Sequence, residues 1–138
     1  QGTLVEKGLQ KFIARGGVLV GSSAGAAIMS KTRIAVGKKK SKLAKGFGLL
    51  PQEIIVDQHF SERNRQARLL DALKKNPRKI GFGVDEGTAV RIRGNEATVV
   101  GKSSVTVMYS NGKKEEFNTG STFNIADKVS QAANLNKN

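Results

Sequence analysis

Two hydroxyls stand in an unusual place in "GVLVGSSAGAAIMS", Gly17–Ser30: Ser22 and Ser23 follow an apolar run and precede almost nothing but small residues. "GSSAG" fits G-x-S-x-G, in which a serine sits on a sharp strand-to-helix turn with its Oγ exposed. Small neighbours suit that turn, because the backbone is strained there and the helix must pack close. A serine hydroxyl is a weak nucleophile until a base takes its proton, and the base needs an acid to hold its tautomer. His59 is the only histidine of the chain, so any such relay must use it. The acids near it in sequence or at comparable strand ends are Asp57, Glu62, Asp85 and Glu86. In an extended "VDE", neighbouring side chains point to opposite faces, so Asp85 and Glu86 cannot both face the histidine. Spacing does not choose between them. Plainer readings compete: Ser22 or Ser23 capping a helix, and His59 as a structural residue. A glycine-rich phosphate cradle fits less well, since the Walker lysine and the dinucleotide spacing are both missing.

The elements that must position these groups can be read from pattern. "TLVEKGLQKFIARGG" places Val5, Leu9, Phe12 and Ile13 on one helical stripe and stops at Gly16-Gly17. "VLV", residues 18–20, is a wholly apolar strand, and "EIIVD", Glu53–Asp57, and "KIGFGVD", Lys79–Asp85, read as further strands of the kind buried on both faces of a parallel sheet. Ala24–Ser30 reads as a helix, and so does Arg65–Lys75, with Ala67, Leu70, Ala72 and Leu73 on its apolar side and Asn76-Pro77 as its stop. From Thr88 the residues alternate in twos around Gly-Asn and Asn-Gly turns, the pattern of antiparallel hairpins. The expected fold is α/β: a parallel sheet with helix crossovers, a three-layer flavodoxin-like half, followed by an antiparallel hairpin appendage. Residues 1–125 make the domain, and 126–138 a loose polar tail. Ligands of such sheets bind beyond the carboxyl ends of the strands. Ser23, His59 and Glu86 all leave strands at that edge.

Composition narrows the classes. At 138 residues and 38% apolar the chain supports a single ordinary domain, and 16 glycines against 2 prolines indicate tight turns. Without cysteine there is no disulfide, no thiolate metal site and no cysteine nucleophile; no metal or other cofactor is expected. No stretch has the length of a membrane span or the form of a signal peptide. The chain does not begin with Met, so that absence says little, and the compartment stays open between cytoplasmic and secreted. The net charge of +13 is densest in "GKKKSKLAKG", Gly37–Gly46. A phosphate-tracking loop is the functional reading. With aromatics at 5% and no tryptophan or RNA-recognition signature, a solvated loop is expected and nucleic acid is not.

"GSSAGAAIMS", "DQHFSERNRQARL" and "GFGVDEGTAVRI", in this order, resemble the cyanophycinase family of serine peptidases, relatives of aspartyl dipeptidase. The resemblance covers roughly Leu4–Val107. It implies Ser23 as nucleophile, His59 as base and Glu86 as orienting acid, with the Ala24 amide at the oxyanion. It also implies that Asp57, Gln58, Arg63, Arg65 and Arg68 belong to the substrate pocket, arginines being suited to paired hydrogen bonds with carboxylates. The order Ser…His…Glu differs from that of α/β-hydrolases. The implied substrate is an aspartyl-arginine polymer, cut to β-aspartyl-arginine dipeptides. An aspartyl dipeptidase or isopeptidase on other substrates is the alternative enzyme, and a non-catalytic basic binding module the alternative of another class.

Members of that family carry an N-terminal half with further parallel strands and a glycine-rich loop that completes the oxyanion hole. The chain is therefore expected to act with an N-terminal partner chain of the same precursor, as an oligomer, and to be inactive and poorly soluble alone.

Overall fold

The computed structural model describes residues 2–137. In chain order its elements are α1 (Leu4–Ala14), α2 (Ala24–Ile28), β1 (Thr32–Val36), β2 (Lys42–Lys45), β3 (Ile54–Gln58), α3 (Gln66–Lys75), β4 (Ile80–Val84), β5 (Thr88–Arg93), β6 (Glu96–Gly101), β7 (Ser104–Met108), β8 (Lys114–Asn118), β9 (Thr122–Asn124) and α4 (Ile125–Leu135). The chain is α/β, but most of its strand pairs are antiparallel.

The apolar runs at 53–57 and 79–85 become β3 and β4, a parallel pair in register from Ile54↔Ile80 to Gln58↔Val84. A parallel pair needs a crossover, and α3 supplies it. Alternation along β3 splits the core. Ile55 faces α3 with Phe60, Leu69, Ala72, Leu73 and Met108. Ile54 and Val56 face the other way, towards Phe82, Val99, Val105, Val107 and Phe123. The glycines of "IGFGV" have a packing reason. A Cβ on Gly81 would meet the Leu69 side chain at 2.9 Å, and one on Gly83 would meet the Phe60 ring at 2.4 Å. Bare backbone on that face of β4 lets α3 and Phe60 come close.

Several expectations need correcting. "VLV" forms no strand; Val18 and Val20 are 81% and 89% exposed, and Leu4 on α1 is 89% exposed. An all-apolar run signals burial against something, and here only Leu19 is half-buried by the described residues. The parallel layout is thus a single pair. The hairpin region is not an appendage either. β7 adds antiparallel to β4, from Gly81↔Met108 to Val84↔Val105, giving a mixed sheet ordered β3-β4-β7-β8. β5, β6 and β9 make a second antiparallel sheet packed on its face through Ala97, Val99 and Phe123.

The tail expected to be loose is α4. Asn124 Oδ1 accepts from the Asp127 amide at its start, and Ile125 and Ala132 are buried. Asn136 Nδ2 donates to Pro77 O at 2.7 Å near its end. The lysine-rich stretch is not wholly loop, since β1 and β2 pair antiparallel from Thr32↔Lys45. Its turn is pinned to α3: Asp71 accepts from both the amide and the hydroxyl of Ser41 at 2.7 Å, and Lys75 Nζ donates to the Ser41 carbonyl at 2.6 Å. The Lys75 ammonium, then the Ser41 donors, hold the Asp71 carboxyl well below the usual carboxylate range. Lys38, Lys39 and Lys40 remain exposed.

Candidate active site

The sharp turn expected at "GSSAG" is present. Ser23 precedes α2 with φ 50° and ψ −120°, a conformation that costs a non-glycine residue about 1–3 kcal/mol. Its side chain caps nothing, which removes the capping reading for this serine. Gly21 is required by space, since a Cβ there would lie 2.5 Å from the Gly25 carbonyl oxygen. Gly25 is not crowded by any described residue.

The other groups arrive from the carboxyl ends of β3 and β4. His59 follows β3 directly, also with φ 50°, and the Phe60 amide bonds back to Val84 O at 3.1 Å. With Gln58 opposite Val84 in the register, the residues just after each strand are neighbours. Ser23 Oγ lies 3.2 Å from His59 Nε2, and His59 Nδ1 lies 2.6 Å from Glu86 Oε1. A carboxylate can only accept, so Nδ1 carries the proton and Nε2 is left as acceptor for the serine hydroxyl. That is the tautomer a general base requires. The series is reachable, with the His59 and Glu86 side chains 26% and 52% exposed.

Spacing left Asp85 and Glu86 open, and the alternation along the chain separates them. Asp85 is buried, accepting from the Ser61 amide at 3.1 Å, Ser103 Oγ at 2.9 Å and Ser104 Oγ at 3.1 Å. Burial opposes its charge, but these hydrogen bonds outweigh that and hold its carboxyl below the usual range. Glu86 turns to His59. Glu62, the remaining acid, touches neither histidine nitrogen; its Oε1 accepts from the Glu86 amide at 3.0 Å.

Four of the residues assigned to a pocket form one network, in which Arg65 Nη1 reaches Asp57 Oδ1 at 3.4 Å. Asp57 and Arg68 are both buried and grip each other through two hydrogen bonds, Arg68 Nε to Asp57 Oδ2 at 2.7 Å and Arg68 Nη2 to Asp57 Oδ1. Arg68 Nη1 also donates to Gly37 O at 3.1 Å, tying the base of the lysine turn to β3. Arg65 Nη1 bonds Gln58 Oε1 at 2.9 Å and the Gln58 carbonyl at 2.5 Å. Arg63 is exposed, and its amide bonds the His59 carbonyl at 3.1 Å. Ala24 opens α2; the next amides, of Gly25 and Ala26, donate to the Ser22 and Ser23 carbonyls at 2.8 and 3.0 Å. An apolar groove of about 230 Å³, lined by Leu9, Leu19, Val20, Ile28, Met29 and Phe47 among others, runs up to Ser22. Among the described residues no group of His, Cys, Asp or Glu side chains is placed to hold a metal ion. No helix among the described residues is long and apolar enough to cross a membrane.

Sequence reasoning missed the serines that hold Asp85 and the bond from Glu86 to Glu62. Ser103 and Ser104 stand in a hairpin segment with no chemical pattern of its own, and only the placement of β7 beside β4 brings them to the site.

The sequence profile of peptidase family S51 matches residues 1–100. The chain belongs to peptidase family S51. Among the similar curated proteins is a cyanophycinase of Geminocystis herdmanii, 44% identical over 98 residues, which are 65% of this chain and 36% of that protein. A cyanophycinase of Trichormus variabilis is 45% identical over 104 residues, 68% of this chain and 35% of its own length. A third, from Synechococcus elongatus, is 40% identical over 99 residues, 66% of this chain and 30% of its own length. The resemblance seen in the three motifs is thus borne out. This S51 chain spans about a third of the length of the curated relatives it matches.

Proposed function

We propose that this S51 chain carries the nucleophile, base and acid of a cyanophycinase-like serine peptidase. The observation that carries the reading is the hydrogen-bonded series Ser23–His59–Glu86 at a strained turn. Ser23 Oγ attacks the scissile carbonyl carbon while His59 Nε2 takes its proton. Glu86 keeps its hydrogen bond to Nδ1 and stabilises the imidazolium. The oxyanion forms against the Ala24 amide, aided by the positive end of α2. Collapse breaks the C–N bond, and the leaving amine receives the proton from His59. Water, deprotonated by His59, then cleaves the acyl-enzyme and restores the serine. The substrate is an aspartyl-arginine polymer, yielding β-aspartyl-arginine dipeptides. Arg63, Arg65 and Gln58 face its carboxylates, while Asp57 and Arg68 brace the backbone beneath them.

An oxyanion needs convergent donors, and one amide is not enough. The second donor is assigned to a glycine-rich loop of an N-terminal partner segment, whose further parallel strands cover α1, Val18 and Val20. Two facts support this: the apolar exposure of that face and the third of the relatives' length that the chain spans.

The test is serine-directed labelling with a fluorophosphonate, with and without the upstream segment. Mass gain at Ser23 together with hydrolysis of the polymer supports the reading. A protein that hydrolyses the polymer but is labelled elsewhere, or keeps its turnover as Ser23→Ala, refutes it.

A further inference from the structure

Glu62 is one of the acids that flank the histidine in sequence, yet it makes no contact with the ring. The turn it belongs to, residues 60–65, is stitched to the end of β4 at three successive points. The Phe60 amide bonds Val84 O, the Ser61 amide bonds Asp85 Oδ1, and Glu62 Oε1 accepts the Glu86 amide at 3.0 Å. Of these, only the last reaches the residue whose carboxylate meets His59 Nδ1. On the far side of Glu86, Thr88 Oγ1 donates to its carbonyl at 3.3 Å, and Gly87 turns the chain at φ 66°.

Resting on the triad reading above, we infer that Glu62 is a positioning residue that acts through Glu86, fixing the backbone from which its carboxylate reaches His59. The same turn that carries the base thereby holds the acid. Glu86 needs such a hold, because its side chain is half exposed and its carboxylate meets only His59 among the described residues. The carboxylate of Glu62 accepts a backbone N–H without needing its charge to do so, and a Gln amide oxygen at the same position can accept it too. Other charged groups lie close to His59 or Glu86 along the chain: Asp57 in β3, Arg63 and Arg65 in the turn, and Asp85 after β4. The stretch from Gly17 to Ser30 on the serine side carries none. The readout must therefore separate a change in geometry from a change in field.

Because His59 is the only histidine, its ring ¹⁵N shifts report its tautomer without assignment, in the full chain and without substrate. A free imidazole favours the proton on Nε2, whereas a carboxylate acceptor at Nδ1 selects the Nδ1–H form. Well above the imidazole titration, the wild type is expected to hold the Nδ1–H form as majority. Glu62→Ala is expected to lose that majority, as Glu86→Ala does, and Glu62→Gln to keep it. Glu62→Ala added to Glu86→Ala should change nothing more, since two residues acting as a unit are not additive. In hydrolysis, Glu62→Ala lowers kcat roughly tenfold with KM unchanged, and Glu62→Gln recovers it. An unchanged tautomer in Glu62→Ala overturns the inference, and so does a loss that Glu62→Gln shares or that persists in the Glu86→Ala background. A rise in KM alone makes Glu62 a substrate contact and overturns it as well. The tautomer is read in the resting protein, so a failed Ser23 labelling experiment leaves this measurement standing on its own.

Discussion

Ser23 pays for its exposed hydroxyl with a backbone that glycine would adopt freely, and that separates chemistry from stability at one position. Ser23→Ala is expected to fold normally and to lose turnover to below about a thousandth of wild type. Ser23→Gly is expected to be equally inactive but to unfold later, by about 1 kcal/mol, because φ 50° and ψ −120° no longer strain the residue. A thermal melt in which the glycine variant falls below the alanine variant would contradict the strain. The neighbouring acids part in the same way. Glu86→Gln should reduce kcat roughly a thousandfold with little change in stability. Asp85→Asn should instead destabilise the fold. Asp85's carboxyl is held below its ordinary range in the folded chain, so its contribution is complete above the unfolded value of about 4 and fades as pH falls below it. The stability gap between wild type and Asp85→Asn, measured by denaturant unfolding, should therefore be full at neutral pH and shrink under acid. A gap constant down to pH 2 would mean the carboxylate charge is not what Ser61, Ser103 and Ser104 stabilise.

Among the elements, legibility followed whether a segment's partners lie within the chain. "EIIVD" and "KIGFGVD" read as parallel strands because they are apolar on both faces, and both faces are covered by described residues. "VLV" has the same texture and little cover, so the same rule failed there. The β1–β2 hairpin was hidden because its lysines interrupt any period, and its turn is fixed by Asp71 and Lys75 from a helix thirty residues away. α4 was read as a tail because polar residues outnumber its short stripe of Ile125, Val129 and Ala132. The glycines of β4 were read only as strand residues, but they set how near Phe60, and hence His59, comes to the sheet. Gly83→Ala is expected to cost about 1–3 kcal/mol from overpacking and to lower kcat by displacing the Phe60–His59 junction, since the added Cβ would lie 2.4 Å from the ring. Gly94→Ala, at a turn with open space around it, is the control. Its positive φ of 59° gives it a stability cost with no loss of turnover. Equal activity losses in the two would remove the special role of Gly83.

At the scale of the molecule, the site was legible as three motifs whose order and strand-end positions agree, while their convergence needed the sheet. What neither pattern nor packing provides is a cover for Leu4, Val5, Val18 and Val20. On the proposed docking of an N-terminal segment at this face, Val18→Asp with Val20→Asp is expected to keep the lone chain soluble at higher concentration and to abolish the proposed activation. Light scattering and polymer hydrolysis read the two effects. Activation that survives both aspartates would place the partner elsewhere.

No residue of α1 is buried, and the first buried side chains among the described residues come at Ala27 and Ser30. The strands β3, β4 and β7 are enclosed almost throughout. Amide hydrogens should therefore exchange in two populations: those before Ala24 within the time of local fraying, and those of the central sheet only on global opening. Ser23 sits on the border between the two, held to the slow-exchanging side by its own bond to His59 and by Ser30 Oγ on the Val56 amide at 3.2 Å. Ser23 thus joins a loosely held N-terminal stretch to a firmly enclosed sheet, with His59 attached directly to the end of β3.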